Sequence, residues 1–354
     1  MSAPGPRGPV ESGRACDGRG HGPLPRTTPV GAGHARDIPV GAGRARDIPV
    51  GAGHARDTLS CPRSGSGFTL VELVTVIVLV GILGLVAWRN LSFPILAFDD
   101  SVRRGDAVGT AGLAVERIAR ELRLALPNSV RVSPDGGAIE FLRTSASGRY
   151  RLQANPADGR SDPFDLTAVT DSFQVLGEWT VPGSLRTGSG LADCLAGSSD
   201  CLAVYNTGSP ADCSTQGAGT RTNAWCGDNL AGITAADPAT GLLTMNRASA
   251  GTAMPMGSPE QRFFVVDTAL SFVCAGGELR RYSGYAIEPG QSVPPGGTGI
   301  LLADDVGGCR FGYEPGSATR AGLVSIQITI AYARPGSGAE QVSLQRQVHV
   351  PNTP

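Results

Sequence analysis

The chain has 354 residues, with 50 Gly, 26 Pro and only 17% charged residues, a composition that favours turns and β-structure over a helical bundle. All 30 basic residues are Arg and they nearly balance 31 acidic residues, so the net charge of −1 disfavours a general nucleic-acid binder. Three of the four His lie in the first 60 residues, and His349 stands in an alternating strand pattern. Catalysis or metal binding through grouped imidazoles is therefore excluded, and we expect no enzymatic activity, no cofactor and no metal.

Residues 1–66 contain three copies of a ten-residue repeat, rich in Gly, Pro and Arg. The copies begin at Pro29, Pro39 and Pro49. Such a segment buries too little apolar surface to fold, so we expect it to be disordered. An alternative is that translation starts downstream, at Leu59 or Val50, from an alternative initiation codon.

An apolar run of 21 residues follows, from Phe68 to Trp88, with a single charge at Glu72. At 1.5 Å per residue, a helix of this length spans about 31 Å, close to the ~30 Å of a bilayer core, so the run predicts a transmembrane helix. A carboxylate in hydrocarbon costs a few kcal/mol, and Glu72 is therefore predicted to pair with a positive charge at the same depth. The alternative is that Glu72 extends to the interface near the helix start.

The residues at this helix start carry a family resemblance. Ser-Gly-Phe-Thr-Leu-Val-Glu-Leu at 66–73, followed by the apolar run, resembles the cleavage and methylation signature of type IV prepilins and type II secretion pseudopilins. The resemblance implies that prepilin peptidase cuts between Gly67 and Phe68 on the cytoplasmic side and methylates the Phe68 amine. It also implies that Glu72 attracts the amino terminus of an adjacent subunit. A leader that begins at Leu59 has an ordinary length for this family, which favours the downstream start.

A second helical stretch is predicted after Pro94, a residue that should kink or interrupt the first helix. It runs from about Asp99 to Leu126 and presents an apolar stripe that should lie on a sheet, and Pro127-Asn128 stops it. The stripe contains Ile118, Leu122, Ala125 and Leu126. Two pairs have the i,i+4 spacing of helical ion pairs, namely Glu116–Arg120 and Arg117–Glu121.

Beyond residue 130 the sequence consists of short β-like runs separated by Gly, Pro, Ser and Asp. The runs are Ile139–Leu142, Phe173–Val181, Leu202–Asn206, Leu242–Asn246, Phe263–Asp267, Leu279–Tyr282, Leu323–Ala333 and Val342–Val350. The last two, joined by Pro-Gly-Ser-Gly at 335–338, predict a hairpin. Together the pattern predicts an α+β domain, in which the N-terminal helix packs on an antiparallel sheet elaborated by long loops at 183–240 and 286–299.

Six of the eight cysteines follow Phe68, in a segment that should lie outside the cytoplasm. The economical pairing joins nearest neighbours, although six cysteines allow 15 connectivities and the sequence does not choose between them. The pairs would be Cys194–Cys201, Cys213–Cys226 and Cys274–Cys309. Neither a Cys-x-x-Cys spacing nor an accompanying His occurs among them, so we expect disulfides and no metal site.

Weaker motifs narrow the resemblance to minor pilins of the MshO type, from the mannose-sensitive haemagglutinin (MSHA) pilus system. The motifs are Ala114–Arg123, Leu126–Val132, Arg262–Thr268, Arg281–Tyr285, Leu301–Tyr313 and Val342–Val350. The helix portion is also similar to the J-type pseudopilin of type II secretion. A pilus-tip adhesin that binds its receptor through the cysteine-rich loop at 190–230 is a further alternative.

The resemblance implies three parts: an extension and leader at 1–67, the pilin helix at 68–126, and a β-rich head at 127–354. It implies a minor pilin that initiates or caps a type IV pilus. Before assembly, a single helix would anchor the chain in the inner membrane, with the head in the periplasm. The implied partners are other minor pilins, the major pilin, prepilin peptidase and the inner-membrane assembly platform.

Overall fold

The computed structural model describes residues 67–154, 162–208, 213, 222–316, 320–334 and 338–354, without the side chains of residues 92–96 and of Arg334. The chain divides into two units, Met1–Phe68 and Thr69–Pro354. The repeat, its predicted disorder and the proposed downstream start lie outside the described residues.

One helix dominates the second unit. Helix α1 spans Leu70–Leu122, and its 53 residues make it about 80 Å long. Of the two effects predicted for Pro94, a kink or an interruption, the interruption is wrong, because α1 continues through Pro94. A proline inside a helix removes one backbone hydrogen bond, and here the turns on both sides keep helical backbone geometry.

The predicted end of the helix at Leu126 is also wrong, because α1 stops at Leu122. The following residues pair with a strand instead. The backbone N–H of Leu126 donates to the carbonyl of Leu142 at 2.7 Å, and Ala125 forms a β-bridge with Arg143. These residues therefore pair with the sheet, although the periodicity of the sequence predicts that they form the last turn of the helix.

Within the described residues, twelve strands form two antiparallel sheets. The nine-stranded sheet contains β1 (Arg131–Val132), β2 (Ala138–Arg149), β3 (Thr170–Gln174), β4 (Cys201–Val204), β5 (Leu230–Asp237), β6 (Leu242–Asn246), β7 (Arg262–Ala275), β8 (Glu278–Tyr285) and β9 (Ile300–Ala303). The three-stranded sheet contains β10 (Val306–Glu314), β11 (Gly322–Arg334) and β12 (Gly338–Val350). A short helix, α2, spans Leu191–Leu195.

The strand order of the larger sheet is β1-β2-β7-β4-β5-β6-β3, and β8 also pairs with β7 and carries β9. In the smaller sheet β11 lies between β10 and β12. The predicted hairpin is present: β11 and β12 pair without a register shift from Gly322↔Val350 to Arg334↔Gly338. The predicted α+β class, with an apolar N-terminal helix and an antiparallel head, is confirmed.

Every predicted strand overlaps an observed one, but the run at 173–181 ends at Gln174 and four strands are missed. Strand β10 is rich in Gly, β5 is rich in Ala, and β1 and β9 have only two and four residues, so none has a clear β pattern. The segment at 183–240 is not one long loop, since it contains α2, β4 and β5.

The C-terminal half of α1 forms the centre of the main hydrophobic core. Its buried face carries small and branched side chains, which allow the sheets to approach closely. These are Ala107, Ala111, Ala114, Val115, Ile118, Ala119 and Leu122. They pack with Phe141 of β2, Phe272 of β7 and the row of Ile residues on β11. Two further clusters lie in the head away from α1, around Phe173 and around Trp225.

Candidate processing and assembly site

The residues that the resemblance marks for processing lie just before α1. Gly67, Phe68 and Thr69 have no regular secondary structure, and the Phe68 side chain is 78% exposed. A Cβ added to Gly67 would meet no atom within 4 Å. The peptide bond between Gly67 and Phe68 is therefore in exposed, non-helical chain, which is the kind of backbone that peptidases can bind.

Glu72 lies in the first turn of α1, where two hydrogen bonds organise the helix start. Its backbone N–H donates to Thr69 Oγ1 at 3.3 Å, and Thr75 Oγ1 donates to the Glu72 carbonyl at 2.9 Å. Thr-x-x-Glu at a helix N-terminus is the sequence of a capping box, and a carboxylate there interacts favourably with the helix dipole. The Glu72 side chain is exposed, so it can cap the helix and also bind a cation on another chain.

Leu70–Leu91 is long and apolar enough to cross a membrane, and none of it is buried within the protein. It is the one segment with these properties among the residues that the structure describes. Glu72 lies within this span, while the second half of α1 lies in the head.

A buried ion cluster joins the end of α1 to the head. Arg281 of β8 donates three hydrogen bonds of 2.9–3.1 Å to the Glu121 carboxylate, and Arg117 donates another at 2.7 Å. Arg143 lies 3.8 Å from Glu121 and forms a bidentate pair with Asp267. Burial by itself would raise the pKa of Glu121, but the hydrogen bonds and charges of Arg281 and Arg117 outweigh burial and hold that pKa below its usual value.

One of the two predicted ion pairs is wrong, and the role of Arg281 was not predicted from the sequence. Arg117–Glu121 forms as predicted, whereas Glu116 pairs with Arg346 of β12 and not with Arg120. The sequence does place Glu121 beside the apolar stripe, which is a signal for a buried charge. It cannot indicate Arg281, which is 160 residues away.

A second polar cluster holds the loop after β8 against the head. The Arg131 guanidinium lies 3.6 Å from the centre of the Trp225 ring, and its Nε donates to Glu140 at 2.5 Å. Its terminal nitrogens donate to the carbonyls of residues 288–290. Tyr285 donates to the other Glu140 oxygen at 2.8 Å, and burial and this carboxylate raise the tyrosine pKa. These groups form hydrogen bonds with one another, which fits a structural role. They lie beside a cavity of about 150 Å³.

Three disulfides occur among the described residues, and each links two cysteines that follow one another in the order of cysteines along the chain. They are Cys194–Cys201, Cys213–Cys226 and Cys274–Cys309. The first two lie in the 190–230 region, and the third joins β7 of the larger sheet to β10 of the smaller one. No group of three or more metal-ligating side chains occurs in the part of the chain that the structure describes.

Comparison with known families gives one match. The model of the prokaryotic N-terminal methylation motif matches residues 62–88, which include Gly67, Phe68 and Glu72. No curated protein and no solved structure matches the chain. The motif supports the pilin and pseudopilin superfamily, whose members are structural proteins processed at the N-terminus. With one apolar N-terminal helix, the chain fits a single-pass, membrane-anchored pilin-like protein.

Proposed function

We propose that this chain is a minor pilin of the MshO type, which initiates or caps the assembly of a type IV pilus of the MSHA kind. The observation that carries the proposal is the methylation motif at 62–88, which includes the start of a 53-residue helix. The first part of this helix is apolar and exposed, and its second part packs in the head. Such a helix can anchor the head in a membrane and later pack beside the helices of other subunits. The finer assignment to the MshO type depends on the resemblance of the helix and β-strand motifs.

In the proposed processing step, prepilin peptidase hydrolyses the amide bond between Gly67 and Phe68 on the cytoplasmic side. The products are a carboxylate on Gly67 and a new amine on Phe68, which the same enzyme methylates. Cleavage removes the leader at 1–67, and 354 − 67 = 287 residues remain. The mature chain then begins at Phe68 and consists of the N-terminal helix, which ends at Leu122, and the β-rich head that follows it.

In the proposed assembly step, Glu72 of one subunit attracts the Phe68 amine of its neighbour. Opposite charges in a medium of low dielectric attract strongly, and pairing also offsets the cost of a carboxylate in hydrocarbon. The pair would fix the axial register of adjacent helices. Before assembly the helix rests in the inner membrane with the head in the periplasm, where the disulfides are stable. The partners are the major pilin, other minor pilins and the assembly platform.

The decisive experiment measures sheared surface pili from a strain with an in-frame deletion of the gene. We expect pili to be lost and to return with a gene that begins at Leu59. Normal piliation with impaired exoprotein release would favour a J-type pseudopilin, and normal piliation with lost adhesion would favour a tip adhesin. Mass spectrometry of the mature N-terminus tests processing separately, and any terminus other than methylated Phe68 contradicts the cleavage proposal.

A further inference from the structure

The last strand of the chain forms an unusually long free edge. Strand β12 has 13 residues, and among the strands that the structure describes it pairs only with β11. Edge strands are commonly protected by Pro, bulges, short length or many charges. The β12 segment has no Pro, its register with β11 shows no shift, and its charged residues are Glu340 and Arg346. It therefore lacks the usual features that prevent a further strand from adding to a sheet.

The hydrogen-bond pattern shows which backbone groups of β12 face the free edge. The N–H of Ala331 in β11 donates to Asp305, on the β10 side, so the alternating residues Ile330 and Ile328 face β12. Their partners Val342 and Leu344 must point back toward β11. The intervening residues then direct N–H and C=O outward. They are Ala339, Gln341, Ser343, Gln345 and Gln347.

The opposite edge of the same sheet is closed. Phe311 of β10 donates its backbone N–H to the carbonyl of Gly136 at 2.8 Å. Val306 likewise donates to Gly277 at 2.8 Å. Within the described residues, no comparable backbone bond ends on residues 339–347 from outside the sheet. The three-stranded sheet thus has one closed edge and one open edge.

The direction of β12 follows that of α1. Near the start of the head, Arg103 donates to the carbonyl of Ala333, which is opposite Ala339 in β12. Further along the helix, Glu116 pairs with Arg346. From 103 to 116 the helix advances about 20 Å, and from 339 to 346 the strand advances about 23 Å, so the two run side by side in the same direction. If α1 starts in a membrane, β12 runs away from it.

We propose that the free edge of β12 binds an antiparallel strand from a neighbouring, non-identical membrane-anchored subunit. The proposal rests on the proposed function, because it requires neighbours anchored in the same membrane. Backbone hydrogen bonds would supply affinity, as in other cases of strand addition. Glu340 and Arg346 lie on the same face, six residues apart, and contact Tyr332 and Glu116 of their own chain. A partner strand with a basic residue opposite Glu340 and an acidic residue opposite Arg346 would extend these contacts.

The direction of α1, and not the charge pattern, makes a second copy the wrong occupant in the membrane. With Ser343 opposite Ser343, two antiparallel β12 strands place Glu340 opposite Arg346 and match their outward-facing groups. Two whole chains paired in this way would point their α1 helices in opposite directions, so both cannot be anchored in one membrane. A free peptide has no such restriction, which makes the β12 sequence a suitable probe.

The test titrates the full chain, in detergent micelles, with a synthetic peptide of sequence 338–350. We expect binding and slower amide hydrogen exchange at the outward residues of β12, and neither with a scrambled peptide. Gln345→Pro removes an outward N–H that makes no bond to β11, and should weaken peptide binding at least about tenfold. Gln345→Ala keeps the N–H and is the matched control, with affinity near that of the unchanged chain.

Equal binding to both variants, or no change in exchange along β12, would overturn the proposal. The free energy of unfolding of Gln345→Pro in urea must match that of the wild-type chain, because the hydrogen bonds between β12 and β11 stay intact. In cells, Ser343→Cys should cross-link to another pilin-like subunit, and a β12-to-β12 homodimer would refute a non-identical occupant. The peptide result does not depend on leader cleavage or piliation, so a failure here is distinguishable from a failure of the proposed function.

Discussion

Glu121→Gln tests whether the buried ion cluster holds α1 to the head. The Glu121 side chain is 6% exposed and receives three hydrogen bonds from Arg281. Glutamine keeps one acceptor oxygen but presents an amide donor toward a guanidinium that is itself buried. Removing one member of a buried ion pair costs about 3–5 kcal/mol. The bond from Arg117, whose side chain is half exposed, adds little. We therefore expect the free energy of unfolding to fall by about 3 kcal/mol.

The assay is urea unfolding of the full chain in detergent at neutral pH, followed by tryptophan fluorescence. Glu116→Gln is the matched control, because it makes the same change on the same helix. Its partner Arg346 and Glu116 itself are both partly exposed, so this pair should contribute less than about 1 kcal/mol. Equal losses of stability in the two variants would refute the conclusion that burial makes the Glu121–Arg281 contact important.

The pH dependence gives an independent check. The folded-state pKa of Glu121 lies below its ordinary value of 4.5, because Arg281 and Arg117 outweigh the effect of burial. A depressed pKa contributes stability above the ordinary value, and that contribution is lost as pH falls through the folded-state pKa. The stability difference between the unchanged chain and Glu121→Gln should therefore be constant near neutrality and narrow below pH 4.5. A difference that widens in acid would contradict this.

Three further predictions concern assembly and folding. Glu72→Gln should be cleaved normally but incorporate poorly into the filament, because Gln can still cap the helix but lacks the charge. Thr69→Ala keeps the carboxylate and should incorporate. N-terminal mass spectrometry measures the cleavage, and incorporation assays measure the assembly. Gly232→Ala should prevent stable folding, because its Cβ would meet backbone atoms well inside contact distance, and soluble yield and circular dichroism report this. Replacing Cys274 and Cys309 together by Ser should cost up to about 4 kcal/mol in urea unfolding, since the bridge closes a 35-residue loop.

Local signals predicted much of this fold. Continuous hydrophobicity identified the first part of α1, and strict alternation identified the β11–β12 hairpin. The missed strands β5 and β10 are rich in Ala or Gly, and they become strands because neighbouring strands pair with them. For the same reason, the sequence could show that Glu121 is a charge beside an apolar stripe but not that Arg281 binds it. Contacts between distant segments depend on the sheet register, which no local pattern contains.

The continuity of α1 has a mechanical consequence. A pull on its apolar end is transmitted along a single helix into the centre of the head, without a flexible linker. Because β11 and β12 run alongside the helix, this load acts parallel to the interface, as shear, and the contacts along the interface resist it together. The Glu121–Arg281 pair, at the far end of α1, opposes sliding of the helix past β8. A tensile load on the apolar segment is therefore carried into the head through one continuous helix.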